Sequence, residues 1–320
     1  MIRKKSRDSN IERKKINFKK IGIILFIIAV TCSLTSFIFY KVIQKLFMSE
    51  NSVHSLYKAW NANDTVKVYE ISSNILDGKP LHNTALALRG YSAFKLAVSE
   101  SDNNTLTQFY IDRAINDLRI ALQSAKKKTV PQLHYVLGLT YFYKNKLASY
   151  YYYADLSVKY LEMAQNEGYR SRDIPELLGL NYSDLGNSKK SIEYFGEALR
   201  VHESDTLLYN IAMQYYNSGQ KDIAKQYLVR AIGLSNDDDI LLDSHYMLAR
   251  IYTEEENYSS ARRELDLIFE KNENFADAHY GLGVLYEKQG DLAKARSEWR
   301  KCLKLQVNHP GALNKLSELK

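Results

Sequence analysis

HYGLGVLYEKQGDLAKARSEWRKCLKL, residues 279–305, decides how the rest of the chain is read. Within it Gly283 and Tyr286 stand three apart, Ala295, Trp299 and Cys302 stand four and three apart, and Gly290 falls between the two sets. Spacings of three and four place each set on one face of a helix. The small members mark where two helix axes approach closely, and a glycine between them can take the left-handed conformation that ends a helix. The stretch reads as helix, tight turn, helix.

The same pattern recurs upstream. A small residue followed three later by Tyr appears at Gly138/Tyr141, Gly179/Tyr182, Ala212/Tyr215, Ala249/Tyr252 and Gly283/Tyr286, in steps of 41, 33, 37 and 34 residues. A second ladder runs through Ala114/Leu118/Ala121, Ser157/Leu161/Ala164, Ser191/Phe195/Ala198, Ala224/Leu228/Ala231, Ala261/Leu265/Ile268 and Ala295/Trp299/Cys302. Self-similarity at such a period is the mark of stacked repeats, each hairpin burying its apolar face against its neighbours. Composition agrees: 320 residues carry only 14 Gly and 4 Pro, too few turn residues for a strand-rich fold.

At Leu282-Gly283, Tyr286, Gly290, Ala295, Trp299 and Leu303 the C-terminal stretch resembles a tetratricopeptide (TPR) repeat, and LGLNYSDLGNSKKSIEYFGEAL, residues 178–199, matches nearly as well. The resemblance covers most of residues 49–309 and implies an all-α superhelical solenoid of about seven hairpins, at 49–82, 83–128, 131–171, 172–204, 205–241, 242–275 and 276–309. A short helix at 310–320, with Leu313, Leu316 and Leu319 on one face, is expected to cap the last hairpin, with Pro310 in its first turn. The first repeat rests on Leu56, Ala59, Val68, Ile75 and Pro80. The second and third are about ten residues longer than the rest, around AVSESDNNTLTQFYI and KNKLASYYYYAD.

The net charge of +7 is the property of one short segment. Residues 1–20 hold nine cations and two anions, leaving the other 300 residues neutral, so no basic stripe remains to follow a nucleic-acid backbone. Residues 21–40, IGIILFIIAVTCSLTSFIFY, contain no charge at all. Twenty helical residues cover about 30 Å, the thickness of a bilayer's hydrocarbon core. The run is too long for a cleaved signal peptide. A transmembrane signal anchor is expected at 21–40 and a linker at 41–48. Cations are retained on the cytoplasmic side, which puts the basic tail inside a plasma or inner membrane and the repeats outside as a single-pass protein. The two cysteines fit an exported domain without disulfides, Cys32 lying in the span and Cys302 at a small inward-facing helix position.

The TPR resemblance further implies that the first helix of each hairpin lines a concave wall. Carried over residue by residue, the wall holds Tyr57, Trp60, Tyr91, Phe94, Tyr135, Phe142, Tyr143, Tyr209, Met213, Tyr216, Tyr246, Arg250 and Tyr280, with Asp173, Glu176, Asp184, Glu254, Glu287 and Lys288 as its charged members. The residue after each small position is Tyr57, Tyr91, Leu139, Leu180, Met213, Arg250 or Val284, never the Asn of relatives that clamp a C-terminal carboxylate. An aromatic groove favours a peptide with apolar anchors instead. Tyr150 to Tyr153 cannot all be buried on one helix face, so part of that run is expected on a protruding hairpin.

No catalytic motif is present: no HExxH, GxSxG, phosphate-binding loop or paired-cysteine site. His134, His245 and His279 share one register but sit a repeat apart, so packing and not a metal accounts for them. The expectation is a non-enzymatic, cofactor-free, membrane-anchored scaffold or adapter that binds a protein or peptide partner, in envelope assembly, secretion or chaperoning. Two alternatives stay open: a homo-oligomer whose groove is filled by another copy, and a non-catalytic subunit of a membrane enzyme complex.

Overall fold

The computed structural model describes residues 18–47, 51–100, 104–147 and 153–318, with side chains in the first helix only from 29 to 43. Among the described residues there are sixteen α-helices, one short 3-10 turn and no strand. After α1 (Phe18–Phe47) the helices come in pairs: α2 (Val53–Asn61) with α3 (Thr65–Gly78), α4 (Asn83–Ser99) with α5 (Asn104–Gln123), and α6 (Val130–Leu147) with α7 (Ala154–Asn166). The pairs continue as α8 (Ile174–Asp184) with α9 (Ser188–Leu199), α10 (Asp205–Asn217) with α11 (Lys221–Leu234), α12 (Asp238–Glu254) with α13 (Tyr258–Lys271), and α14 (Ala276–Lys288) with α15 (Leu292–Leu305). A last helix, α16 (Pro310–Glu318), closes the series. The chain divides into two compact units, Met1–Ser92 and Ala93–Lys320.

In the first unit every side chain described in α1, from 29 to 43, is exposed around the full circumference of the helix, including Leu34, Phe37, Ile38 and Phe39. Among the described residues no helix is long and apolar enough to cross a membrane. The side chains of residues 21–28, the more apolar part of the stretch read above as a span, lie outside the described residues, as do residues 1–17 of the basic tail. The pair α2 and α3 buries Leu56, Ala59, Val68 and Ile75, the residues on which the first repeat rests. Ser52 and Asp64 cap its helices, their side chains accepting from the backbone N–H of Ser55 and Lys67.

In the second unit the small residue of each first helix receives a bulky residue of the second. A Cβ on Gly138 would lie 2.6 Å from Leu161 Cγ, and Cβ atoms on Gly179 and Gly283 would overlap the rings of Phe195 and Trp299. Leu161, Phe195 and Trp299 are all fully buried. The rungs read as merely small do more than make room: Ser157 Oγ donates to Gly138 O at 2.9 Å and Ser191 Oγ to Gly179 O at 2.7 Å, tying the two helices together where they pass closest.

Between the helices of a pair the chain turns through one left-handed residue, Gly186, Gly219 and Gly290 with φ of 69°, 78° and 84°. In the turn from α12 to α13 that position is Glu256, at φ 60°. A side chain in this region costs about 1–2 kcal/mol, and Glu256 is exposed with nothing in the turn requiring its carboxylate. Glu256→Gly is therefore expected to raise stability by about 1 kcal/mol, less the entropy glycine adds to the unfolded chain. A lower midpoint in chemical denaturation would show that this turn is not strained.

The extra residues of the second and third repeats lengthen helices: α5 has 20 residues and α6 has 18, against 11 to 14 in α8 to α11. Tyr150, Tyr151 and Tyr152 lie outside the described residues. Tyr153 is half-buried, with the Lys144 ammonium 5.1 Å from its ring centre.

The C-terminal helix docks through only part of the expected face, Leu316 packing as expected and Ala312 taking the place of Leu313. Ala312 is fully buried and Leu316 packs with it against Trp299, whereas Leu313 is exposed and Leu319 lies outside the described residues. Residues four apart share a face, and the one that meets α14 and α15 runs through Ala312 and Leu316; Leu313 is one position further round and points to water. His309 Nδ1 caps the helix by accepting from Ala312 N–H at 3.1 Å, while its Nε2 lies 2.9 Å from Asp277 Oδ1.

Candidate functional site

First helices of successive pairs touch one another, α8 on α10, α10 on α12 and α12 on α14, while contacts of that kind between second helices are sparser. In a curved stack the more closely spaced row is the inner one, so the first helices form the inner wall of the second unit. The residues expected on that wall divide into three groups.

In the first unit Tyr57 is exposed, and Trp60 meets Tyr91 edge-on with ring centres 4.9 Å apart. At the start of the second unit Phe94 is only 9 % exposed. It is a core side chain and not an open anchor: wholly apolar, it sinks beside Ala93 and Ala97 and is covered edge-on by Tyr143 at 5.4 Å. Tyr143 itself is exposed, and Phe142 lies under the Lys146 ammonium at 5.3 Å. Tyr135 is already engaged, stacked on Tyr169 at 4.7 Å and donating its hydroxyl to Asp173 at 2.6 Å. Burial first, and then the bond to that carboxylate, hold its phenol well above the usual range.

The remaining wall residues come together. Tyr209, Met213, Tyr216 and Tyr246 pack around one buried cluster that includes Ala212, Leu228, Leu248 and Ile251. Arg250 lies over the Tyr216 ring at 4.8 Å, and Tyr216 donates to Glu254 at 2.5 Å. Glu254 also pairs with Lys221 at 2.9 Å and Arg250 at 3.3 Å. Burial, followed by the Glu254 bond, pushes the Tyr216 phenol up to about 12. Between α12 and α14 opens a cavity of about 350 Å³, lined by Tyr246, Ala249, Arg250, Thr253, Glu254, Tyr280, Gly281, Val284 and Lys288. Gly281 belongs to this wall because a Cβ there would sit 3.0 Å from Tyr246 Cε2 and push the ring away. Aromatic faces, one guanidinium, one ammonium and one carboxylate around an open hollow can hold a peptide side chain of mixed character.

The other charged wall residues have partners: Glu176 with His202 at 3.1 Å, Asp184 with Lys146 at 3.0 Å, and Glu287 with Lys315 at 3.0 Å. The three in-register histidines each bring Nδ1 to a carboxylate, His134 to Glu167 at 2.8 Å, His245 to Glu264 at 2.7 Å and His279 to Glu298 at 2.8 Å. These pairs escaped the sequence reading, although His245/Glu264 and His279/Glu298 share a spacing of 19 that could have disclosed them. Among the described residues no group of three His, Cys, Asp or Glu is arranged to hold a metal ion. Cys302 is fully buried, and burial raises its thiol to about 11.

Residues 276–309 match the tetratricopeptide repeat family, the segment formed by α14 and α15. The last hairpin is a tetratricopeptide repeat, and the helix pairs before it share a TPR-like fold. Residues 179–279 match a domain of unknown function, DUF7017, and no curated protein matches the chain in sequence. Among solved structures, the chain resembles the C-terminal part of a TPR repeat-containing protein from Cytophaga hutchinsonii, at 15 % identity and a TM-score of 0.55 over 81 % of this chain and 97 % of that one. It also resembles a tetratricopeptide repeat protein from Parabacteroides merdae, at 15 % identity and a TM-score of 0.50 over 83 % and 96 %. YrrB, a TPR protein with an unusual peptide-binding site, aligns at 20 % identity and a TM-score of 0.46 over 62 % of this chain and 97 % of its own. At these identities the likeness is one of fold. Neither matching family is described as an enzyme.

Proposed function

We propose that this TPR protein is a membrane-anchored scaffold whose inner helix wall binds a protein or peptide partner. The observation that carries the binding reading is the aromatic hollow between α12 and α14, in which Tyr246, Arg250 and Tyr280 converge without filling the space between them. Rigid aromatic side chains around a concavity give large contact area at low entropic cost, the usual make-up of a peptide anchor site. The anchor reading rests on the uncharged run at 21–40 within a 30-residue helix whose described side chains are all exposed. Such a surface is unfavourable in water and is covered well by lipid. The nine cations before it favour a cytoplasmic N-terminus and an extracytoplasmic solenoid.

A photo-crosslinking residue at Tyr143 or Arg250, with exposed Glu193 on α9 as control, tests the wall in intact cells. A discrete adduct from the wall positions and none from Glu193 is expected. Adducts of twice the chain mass alone would assign the groove to a second copy, and equal labelling at all three positions would sink the binding reading. Deleting residues 21–40 is expected to move the chain from the alkaline-washed membrane pellet to the supernatant. Protease added to intact cells, or to spheroplasts of a double-membraned host, should digest the solenoid; full protection would reverse the topology.

A further inference from the structure

From α8 onward the helix pairs separate their charges by side, whereas the preceding pair does not, α6 being net +2 and α7 net −1. The four first helices α8, α10, α12 and α14 carry nine carboxylates against two cations, a net −7, whereas their partners α9, α11, α13 and α15 carry thirteen cations against seven carboxylates, a net +6. Towards the ends of the first helices the acids are compensated by the pairs of Glu254, Asp184 and Glu287 described above, and by Lys271 with Asp238 at 2.7 Å. Midway along the inner side they are not. Asp243 is half-buried and, among the described residues, has no hydrogen-bond donor or cation paired with it. The charges of Asp277 and Asp239 both bear on it, and those of Asp243 and Asp277 bear on Tyr209. Asp277 has His309 as its partner, at 2.9 Å. Tyr209 and Tyr246 are half-buried, and their hydroxyls have no hydrogen-bond partner among the described residues.

We infer that the inner side of α10, α12 and α14 receives a lysine or arginine side chain of an extended partner polypeptide, set between the Tyr209 and Tyr246 rings against the Asp243 and Asp277 carboxylates. The inference rests on the binding function proposed above and names the chemistry of the partner. Charge complementarity selects it: an acidic, aromatic wall attracts a cation through both its carboxylates and its ring faces, and repels an acidic segment. Burial, then the charges of Asp277 and Asp239, hold Asp243 above the usual carboxylate range. Its folded value therefore exceeds its unfolded one, so ionisation costs stability at neutral pH, and the cost lifts as pH falls through the folded value. A cation seated beside it would remove the same cost.

The full chain in detergent micelles is titrated against three labelled peptides that share one Tyr-, Leu- and Ser-containing frame and differ only in bearing Lys, Gln or Glu at the variable positions. Fluorescence anisotropy is expected to show binding of the Lys peptide alone, weakening as salt rises. Asp243→Asn should weaken it about tenfold, the scale of one well-placed charge contact. Asp222→Asn, at an exposed carboxylate on α11, should leave it unchanged. The same Asp243→Asn chain should melt at a higher temperature than the parent, so that lost binding cannot be lost folding. Equal binding of the Lys and Gln peptides, preference for the Glu peptide, or an Asp243→Asn affinity equal to the parent would overturn the basic partner while leaving a peptide groove. Binding of none of the three would overturn the groove as well.

Discussion

Replacing Trp299 with alanine is expected to destabilise the C-terminal end of the array by about 3–5 kcal/mol, the range for removing a fully buried aromatic side chain. Trp299 has no exposed surface and lies in the space left by the missing Cβ of Gly283. Its indole N–H donates to Tyr280 O at 3.3 Å, and its ring packs with Ala295, Cys302, Ala312 and Leu316. One side chain therefore joins α14, α15 and α16. Alanine would leave a cavity walled by three helices that can collapse only by moving the cap. In a stack held by nearest-neighbour contacts the damage should stay local. Hydrogen exchange should accelerate over residues 276–318 and change little in α10 and α11. A loss below about 1 kcal/mol, or one spread evenly over the second unit, would show that the array is not stabilised repeat by repeat.

The repeats were legible because their signal is geometric: a small residue at a fixed offset from a bulky one cannot be exchanged for other apolar residues without separating two helix axes. Hence Gly138, Gly179 and Gly283 in one ladder and Leu161, Phe195 and Trp299 in the other could be read from spacing alone, while the fit of each bulky residue over its glycine comes from the structure. What could not be read was which of two adjacent apolar residues faces the neighbour. Leu313 looks the better anchor than Ala312 by size, yet closeness to α14 selects the smaller residue, as it does within every pair. Phe94 failed for the converse reason: its register places it on the wall, but an all-apolar ring with a covering Tyr143 gains more by sinking into the core. Hydrogen bonds across helices were opaque for another reason, since Tyr135 to Asp173 and His134 to Glu167 join residues whose separation reflects loop length and not helical period. The cost of leaving Asp243 unpaired was equally invisible, because it depends on burial and on carboxylates from the two first helices α12 and α14.

Two glycines in one hairpin, given the same substitution, are expected to respond with opposite signs. Gly179 on α8 and Gly196 on α9 both lie inside regular helix, where alanine is intrinsically favoured by about 0.5–1 kcal/mol. At Gly196 nothing lies within 4 Å of an added Cβ, so Gly196→Ala should realise that gain. At Gly179 the same atom would enter the ring of Phe195, which is fully buried and has no free direction in which to turn. The helices must part, stretching the 2.7 Å bond from Ser191 Oγ to Gly179 O and exposing the surface that Phe195, Ala198, Leu207 and Ile211 share. Overpacking of this kind costs about 1–3 kcal/mol and should outweigh the propensity gain. The pair separates two explanations of why the position is small. If Gly179→Ala were as stabilising as Gly196→Ala, the helices would not be in contact there and the ladder of small residues would mark flexibility. If Gly179→Ala destabilises and Phe195→Leu in the same chain restores part of the loss, the small residue is there to admit the ring, and helix-to-helix distance is set at that rung.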